Sequence, residues 1–513
     1  MGYDVVIAGA GPTGLMLAGE LSLAGASVLV LEERDGAERA IMTGAMGARS
    51  VNAPTAHAFH WRGLLPAVRE AAIWWYDPES AGPGSPDEAK PRFVGHFSGI
   101  VIRYDRLDFG HPDFAAHRLG AGVISQSALE TVLAERATAL GAEVRWGRGL
   151  TGFTASADGV TVEAGGETIR AGWLAGCDGG RSRVRKLAGF AFPGAGPEFT
   201  GIQAMVEFDG PGAPPVGEWT PTPAGAYVHG PVHGRLHTVE YGRTADRDRP
   251  VTAAEIEDSL RRVAGIEVKI GAVPVATRYT DTARQATEYR RGRVLLAGDA
   301  AHVHSPFGGQ GMNLGLADAM NLGWKLAAAV RGDGPPGLLD TYTAERHPVG
   351  DWVQRWTLAQ TALGRTDPAS RALREIVTDF LDTGPAATYV TTRISGAWQH
   401  YDLPGEHPLT GRMAPDVELA DGTRLAEHAH DGRFLLLTDE NSAQPAAHSR
   451  LTVVTARPPG VPALLVRPDG YVAWAADTAD GADGAVAAVL GPSSSERAFA
   501  GGRDDHRPAR PRG

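Results

Sequence analysis

Cysteine is almost missing from this chain: 513 residues contain one, Cys177. No internal disulfide and no Cys-x-x-Cys redox or zinc pair can form. Long apolar runs are missing as well. No stretch reaches the roughly 18 apolar residues that a membrane-crossing helix needs. The chain enters an apolar strand at Tyr3 with no basic region before it, so no signal peptide is read and a cytoplasmic location is expected. Positive charge is not in excess. Lys and Arg number 49 against 60 Asp and Glu, a net charge of −11. Nucleic acid and anionic membrane surfaces are therefore disfavoured as partners. No metal-ligand cluster and no Ser-His-Asp arrangement stands out. What remains is ordinary globular composition, 43% hydrophobic and 21% charged, in a chain long enough for roughly two to four domains.

The first informative stretch is YDVVIAGAGPTGLMLAGELSLAGASVLVLE. It reads as strand, glycine turn, helix and second strand. Gly9 permits the turn, Gly11 lets the backbone approach a pyrophosphate, and Gly14 lets helix and strand pack closely, with Pro12 and Thr13 between them. The helix start offers free N–H groups to phosphate. Glu32 ends the second strand, 23 residues after Gly9, where a carboxylate can accept from ribose hydroxyls. Together these predict a dinucleotide site.

A second glycine loop, GRVLLAGDAAHVHSPFGGQGMN, begins at residue 292. It runs from a strand ending at Asp299, through Pro306, Phe307 and Gly309, into a helix at Gly311, Met312 and Asn313. A carboxylate at a strand end can hold sugar-alcohol hydroxyls. Free N–H groups at the helix start favour a group that becomes anionic. A ribityl chain and a reducible isoalloxazine ring meet both demands. The two loops therefore predict the two ends of one FAD.

Between and after the loops, the chain divides into five parts. Residues 1–175 read as the first part of an FAD-binding domain, with a substrate-domain excursion near 70–115. Residues 176–290 hold GCDGGRSRVR and then a β-rich layer of short alternating segments. Residues 291–395 return to the FAD domain and continue as long helices. Residues 396–490 read as a small α/β unit without cysteine, and 491–513 as a polar, breaker-rich tail expected to be disordered.

GAGPTG with Glu32, GCDGGRSRVR with Asp178, Ser182 and Arg185, and GRVLLAGDAAH…PFGGQGMN occur here in that order. In this the chain resembles the FAD-dependent aromatic hydroxylases related to para-hydroxybenzoate hydroxylase and phenol hydroxylase, over about residues 1–360. The resemblance implies an α/β (α+β) fold: a Rossmann-like FAD-binding domain interleaved with a β-sheet substrate domain. The last unit is similar to the thioredoxin-like domain of the phenol and polyketide hydroxylase branch, which favours multi-ring substrates. The implied chemistry is single-component hydroxylation with NAD(P)H (NADPH favoured) and O2, through a flavin C4a-hydroperoxide. The implied ligand is a small aromatic molecule, and the implied state is a monomer or homodimer.

The resemblance puts Asp299 on the ribityl chain, Pro306 by the flavin ring, and Gly311, Met312 and Asn313 at its pyrimidine edge. Arg49 falls near the phosphates or ribityl, Gln126 reaches the cofactor, and Asp178 serves FAD and the nicotinamide donor. Pro306, Arg49 and His304 are the candidates nearest the chemistry. Arg49 as a surface ion pair and Gln126 as a helix-start residue stay open. After Arg49 an Asn-Ala-Pro-Thr turn is expected to cap the next helix through Thr55. An apolar pocket is expected beside Pro306 and Phe307. Its candidate walls are Trp74 with its aromatic neighbours, His96 and Phe97, and Gln203 with Met205, core packing being the alternative for each. Two other readings remain: a Baeyer–Villiger or epoxidising monooxygenase, and a non-catalytic FAD-fold binding protein.

Overall fold

The computed structural model describes residues 2–36, 40–76, 93–115, 121–217, 219–230, 232–243, 249–440, 442, 448–458 and 460–490. The Pro- and Gly-dense stretch 77–92 and the tail from 491 lie outside them. Strand Tyr3–Ala8 pairs in parallel with Val28–Leu31 on one side and Glu167–Gly176 on the other. Val294–Leu296 adds in parallel beyond Glu167–Gly176, and Glu143–Arg145 beyond Val28–Leu31. Both faces of this parallel sheet are covered, which is why residues 5–8 and strand Val28–Leu31 read as unbroken apolar runs.

The register explains the spacing of the motifs. Ala8 lies beside Gly176, and Gly176 beside Leu296. The three adjacent strands therefore end together, and Gly9, Asp178 and Asp299 leave the sheet at one edge. That carboxyl edge is where open α/β sheets bind ligands. Helix Pro12–Leu23 lies against helix Gly311–Arg331, and the two approach closely where the second carries glycine. A methyl group at Gly315 would collide with the Thr13 hydroxyl, and one at Gly323 would stand 2.5 Å from Cβ of Glu20.

A second, antiparallel sheet runs in the order Thr220–Thr222, Gly225–His229, Arg235–Tyr241, Phe199–Phe208, Ile270–Thr280. Its alternation decides its two faces. Ile202, Ala204, Val206 and Leu236 pack on Ile256 and Leu260 of helix Ala253–Ala264. Phe199, Gln203, His237, Tyr241 and Tyr279 are left on the opposite face, toward the second glycine loop. Long helices Thr341–Gly364, Pro368–Leu381 and Gly384–Ser395 follow. The hairpin Phe93–Phe97/Ile100–Arg103 rests on the last two.

The C-terminal unit is a mixed four-stranded sheet with Phe434–Leu437 between Leu451–Val454 (parallel) and Ala463–Val466 (antiparallel), and Val472–Ala476 outermost. One face packs on helix Ala482–Leu490 and Trp324, the other on Trp61. Buried Arg62 latches it to the main body, donating to Glu20 at 2.7 and 2.6 Å and to the carbonyls of Ala429 and Pro468. Lys325, Glu345, Arg467 and Asp469 form a second latch. Among the described residues, no helix is long and apolar enough to cross a membrane.

Candidate active site

At the first loop, Gly9 has φ +104°, and a side chain there would collide with the Cys177 carbonyl. Gly11 is different: a Cβ there meets nothing within 4 Å. The helix it caps has no side-chain cap, so the first amides of Pro12–Leu23 stand open toward that space. Glu32 is buried and already engaged. It accepts from the Ala10 amide at 2.7 Å and from Arg34 Nε at 2.9 Å. Burial alone would raise its carboxyl, but Arg34 and the two amides hold it below the usual range. Arg34 also reaches Glu130, which accepts from Gln126 Nε2 at 2.9 Å. Glu32 and Gln126 thus belong to one network centred on Arg34, a residue the sequence reading above does not single out. The signal was available as a basic residue two positions after the strand-ending acid, on the same side of the chain.

At the second motif, one oxygen of Asp178 accepts from the amides of Arg183 and Val184 at 2.6 and 3.0 Å, while its other oxygen is buried with no partner. Ser182 caps the short helix through the Arg185 amide. Arg185 donates to the carbonyls of Ala300 and Gly180, tying this turn to the Asp299 turn. Cys177 is buried, and burial pushes its thiol far up, which suits an inert core residue.

Asp299 sits exposed on the turn that ends strand Val294–Leu296, and among the described residues no side-chain hydrogen bond or ion pair engages it. The turn itself is fixed from below. Asp318 is fully buried and accepts from the Gly298 amide at 3.0 Å, His302 Nε2 at 2.7 Å and Arg346 Nε at 2.7 Å. His302 is structural. His304 donates Nδ1–H to the Ser305 carbonyl, leaving Nε2 buried, without a partner among the described residues, and a bare acceptor beside Gly311 and Asp299. It lies on the cofactor side of the loop and does not line the cavity described below.

Pro306 is exposed, and Gly309 turns left-handed against Ser50. Helix Gly311–Arg331 also lacks a side-chain cap, so the amides of Gly311 and Met312 are open. The Asn313 side chain does not face that opening. It donates to the carbonyls of Ser50 and Gly309 and accepts from the Asn52 amide, stapling strand Ala48–Val51 to the loop. Arg49, on that strand, is half-buried, donates to the Ala48 carbonyl at 3.0 Å and is attracted by Asp299. It is not a surface ion pair. The following helix is capped by Asn52, which accepts from the Thr55 amide at 3.1 Å, and not through the Thr55 side chain. The acceptor belongs to the residue with extended backbone before the helix, and that is Asn52.

A cavity of about 270 Å³ opens between the second sheet and Phe307. Trp219, Val239, Tyr241 and Phe307 form apolar walls, and His96, Ser98, Arg374 and Glu375, with Arg365 and Arg371, the polar one. Phe307 packs on Phe199 at 5.5 Å. His237 meets Trp219 at 5.6 Å, and burial with the nearby Arg235 and Arg49 pushes its pKa down to about 3. Gln203 is on the same sheet face and donates to the Met46 carbonyl. Two expected wall residues are elsewhere. Phe97 packs edge-on against Trp356 at 4.8 Å, because successive strand residues point oppositely and His96 takes the inward position. Trp74 is half-exposed beside strand Ala121–Ser125 and does not reach the cavity.

An FAD fits these residues. An uncollided cradle over Gly11, open amides at two helix starts, an exposed carboxylate at Asp299 and an unpartnered acceptor at His304 lie along one edge of the sheet. The model of an FAD binding domain matches residues 2–357, and that of an aromatic-ring hydroxylase C-terminal region matches 407–493. Anhydrotetracycline monooxygenase of Streptomyces rimosus is 41% identical, over 93% of this chain and 96% of its own. The structure of an anhydrotetracycline hydroxylase from the same organism superposes with a TM-score of 0.82 at 38% identity, covering 96% of this chain and 100% of its own. That of a Diels-Alderase in the biosynthetic pathway of pyrroindomycins superposes with a TM-score of 0.80 at 34% identity, covering 95% and 99%.

Proposed function

The chain belongs to the FAD-dependent aromatic-ring hydroxylases and is an FAD-dependent monooxygenase, and from that premise we propose that it hydroxylates a multi-ring phenolic substrate of the aromatic polyketide type. The observation that carries this reading is the aromatic-walled cavity between the second sheet and Phe307. FAD, when bound, supplies reduction by NAD(P)H and activation of O2. The residues do the rest. Glu32 and Arg34 hold the adenosine, the amides after Gly11 the pyrophosphate, and Asp299 the ribityl hydroxyls. The amides of Gly311 and Met312 stabilise negative charge at the ring edge. Trp219, Tyr241, Val239 and Phe307 hold the substrate flat and exclude water, which protects a reactive oxygen. His237 stays neutral at working pH and offers hydrogen bonding without charge. Arg49, Pro306 and His304 complete the wall around the reacting ring. NADPH is the favoured donor.

A second reading has one observation in its favour: a relative of the same fold is described as a Diels-Alderase, so the scaffold alone does not fix the reaction. Turnover of holoenzyme with NADPH, isotopically labelled O2 and a panel of tricyclic and tetracyclic phenols separates the cases. A true substrate is expected to accelerate NADPH oxidation about tenfold or more and to gain one labelled oxygen. Product formed without NADPH consumption supports a redox-neutral cyclisation instead. A ring-expanded lactone supports Baeyer–Villiger insertion.

A further inference from the structure

The polar wall of the cavity sets His96, Arg365, Arg371 and Arg374 against a single carboxylate, Glu375, which forms no ion pair with Arg374 among the described residues. His96 Nδ1 accepts from the Gly99 amide at 3.1 Å, so in the neutral ring the proton is on Nε2. That N–H has no protein acceptor among the described residues. Arg374, beside it on helix Pro368–Leu381, donates Nη1 to the Ser98 carbonyl at 2.7 Å and forms no ion pair among the described residues. Its neighbours are engaged elsewhere: Arg365 pairs with Glu198, and Arg371 donates to the Thr366 carbonyl. A half-buried guanidinium with no carboxylate is an incomplete ion pair.

The wall is also held under strain. Ser98 has φ +53°, the one non-glycine residue with positive φ among those described. It is clamped there by Gln360, which accepts from its amide at 3.0 Å and its hydroxyl at 2.6 Å, and by Arg374. Backbone held in this region persists where surrounding contacts over-determine it, as at ligand sites. The strained turn fixes both donors beside Trp219, which packs on Gly99.

From this juxtaposition we infer that His96 and Arg374 form an acceptor-reading subsite for an anionic oxygen of the substrate, a carboxylate or an ionised enol. The inference rests on the cavity being the aromatic substrate's site. A planar ring system lies along Trp219, Val239 and Phe307. Its anionic end is fixed by the Nε2–H of His96 and a free N–H of Arg374, and the opposite edge is turned toward Phe307 and the second glycine loop. His96 and Arg374 are thus specificity-determining residues that set which carbon is presented.

Matched tricyclic probes test this by calorimetric titration of the FAD-loaded enzyme. Rhein carries a carboxylate where chrysophanol carries a methyl group, and alizarin ionises at an enolic oxygen. Rhein is expected to bind roughly tenfold or more tightly than chrysophanol, the scale of a charge-assisted hydrogen-bond pair, or alizarin to tighten similarly as it ionises. A rhein preference identifies a carboxylate, and alizarin tightening an enolic oxygen. In Arg374→Gln that preference should vanish while chrysophanol binds as before, which also verifies the fold of the variant. His96→Asn should lose part of it. Equal binding of the anionic and neutral probes to the wild type, or equal weakening of both in Arg374→Gln, overturns the anionic subsite. Failure of every probe to bind the wild type overturns the assignment of the cavity itself, and the subsite with it.

Discussion

Asp318 and Arg374 are both charged groups withdrawn from water, and the protein treats them in opposite ways. Around Asp318 the Gly298 amide, His302 and Arg346 all donate, and burial that would raise its carboxyl is outweighed by His302 and Arg346, which hold it low. The same completeness holds for Arg62 with Glu20 and for the latch of Lys325, Glu345, Arg467 and Asp469. Around Arg374, His96, His237 and Asp299 the sets are incomplete among the described residues: Arg374 has only the Ser98 carbonyl and His96 only the Gly99 amide. A buried charge left unpaired is expensive, so sets completed within the chain belong to architecture and incomplete ones to ligands. By that criterion the region under the second loop is frame, and the cavity wall and the Asp299 edge are working surface.

The largest expected effect breaks the frame. Asp318→Asn leaves Arg346 buried without a counter-charge and loosens the Gly298 turn. It should cost about 3–5 kcal/mol in stability, read by denaturant unfolding, and should release FAD. Arg374→Gln loses one hydrogen bond to the Ser98 carbonyl and should change stability by about 1 kcal/mol or less. Comparable losses in the two variants would erase the distinction between frame and working surface.

The next effect appears with acid. His237 has its pKa lowered to about 3 by burial, Arg235 and Arg49, whereas an unfolded histidine titrates near ~6.5. Between those values the unfolded chain binds the extra proton, so stability rises with pH there. The contribution of a neutral His237 is complete above about 6.5 and is lost progressively as pH falls toward the folded value. At about pH 5 the loss relative to neutrality should be on the order of 1–2 kcal/mol, the partial exposure of the ring reducing it. Unfolding titrations of the wild type and His237→Asn should converge by that amount on acidification. Parallel curves would mean that His237 is solvated or finds a partner.

The frame was more legible in the sequence than the working surface. Gly9, Gly14 and the strand ends are dictated by backbone geometry, which a single chain displays through spacing. The approach of Gly9, Asp178 and Asp299 follows from three parallel strands entering one sheet, and the shared chemistry of the two glycine loops announced it. The cavity wall depends on which way side chains point. His96 and Phe97 are adjacent in VGHFSGI, and only the pairing of that hairpin decides that the histidine faces in. Arg374 stands in an amphipathic helix, PASRALREIVTDFL, where nothing local separates an arginine facing solvent from one facing a cavity. Trp74 was a plausible anchor by composition, but its strand is an edge of a separate small sheet.

The smallest of these effects is also the most selective. Asp299 is exposed and forms no side-chain hydrogen bond or ion pair among the described residues, so removing its carboxylate takes little from the apoprotein. Asp299→Ala should shift apoprotein stability by no more than about 0.5 kcal/mol, as for other surface changes. If the carboxylate holds the ribityl hydroxyls, the same variant should bind FAD roughly tenfold more weakly, about 1.4 kcal/mol, measured by flavin retention on gel filtration and by titration of the apoprotein with FAD. Arg49 bears on the interpretation, because Asp299 attracts its guanidinium. Asp299→Asn keeps an acceptor but removes that attraction, so FAD affinity intermediate between wild type and Asp299→Ala assigns the remainder to charge. Wild-type affinity in Asp299→Ala would move Asp299 out of the working surface, and the rule that unpaired groups mark ligands would fail at the place where it is easiest to check.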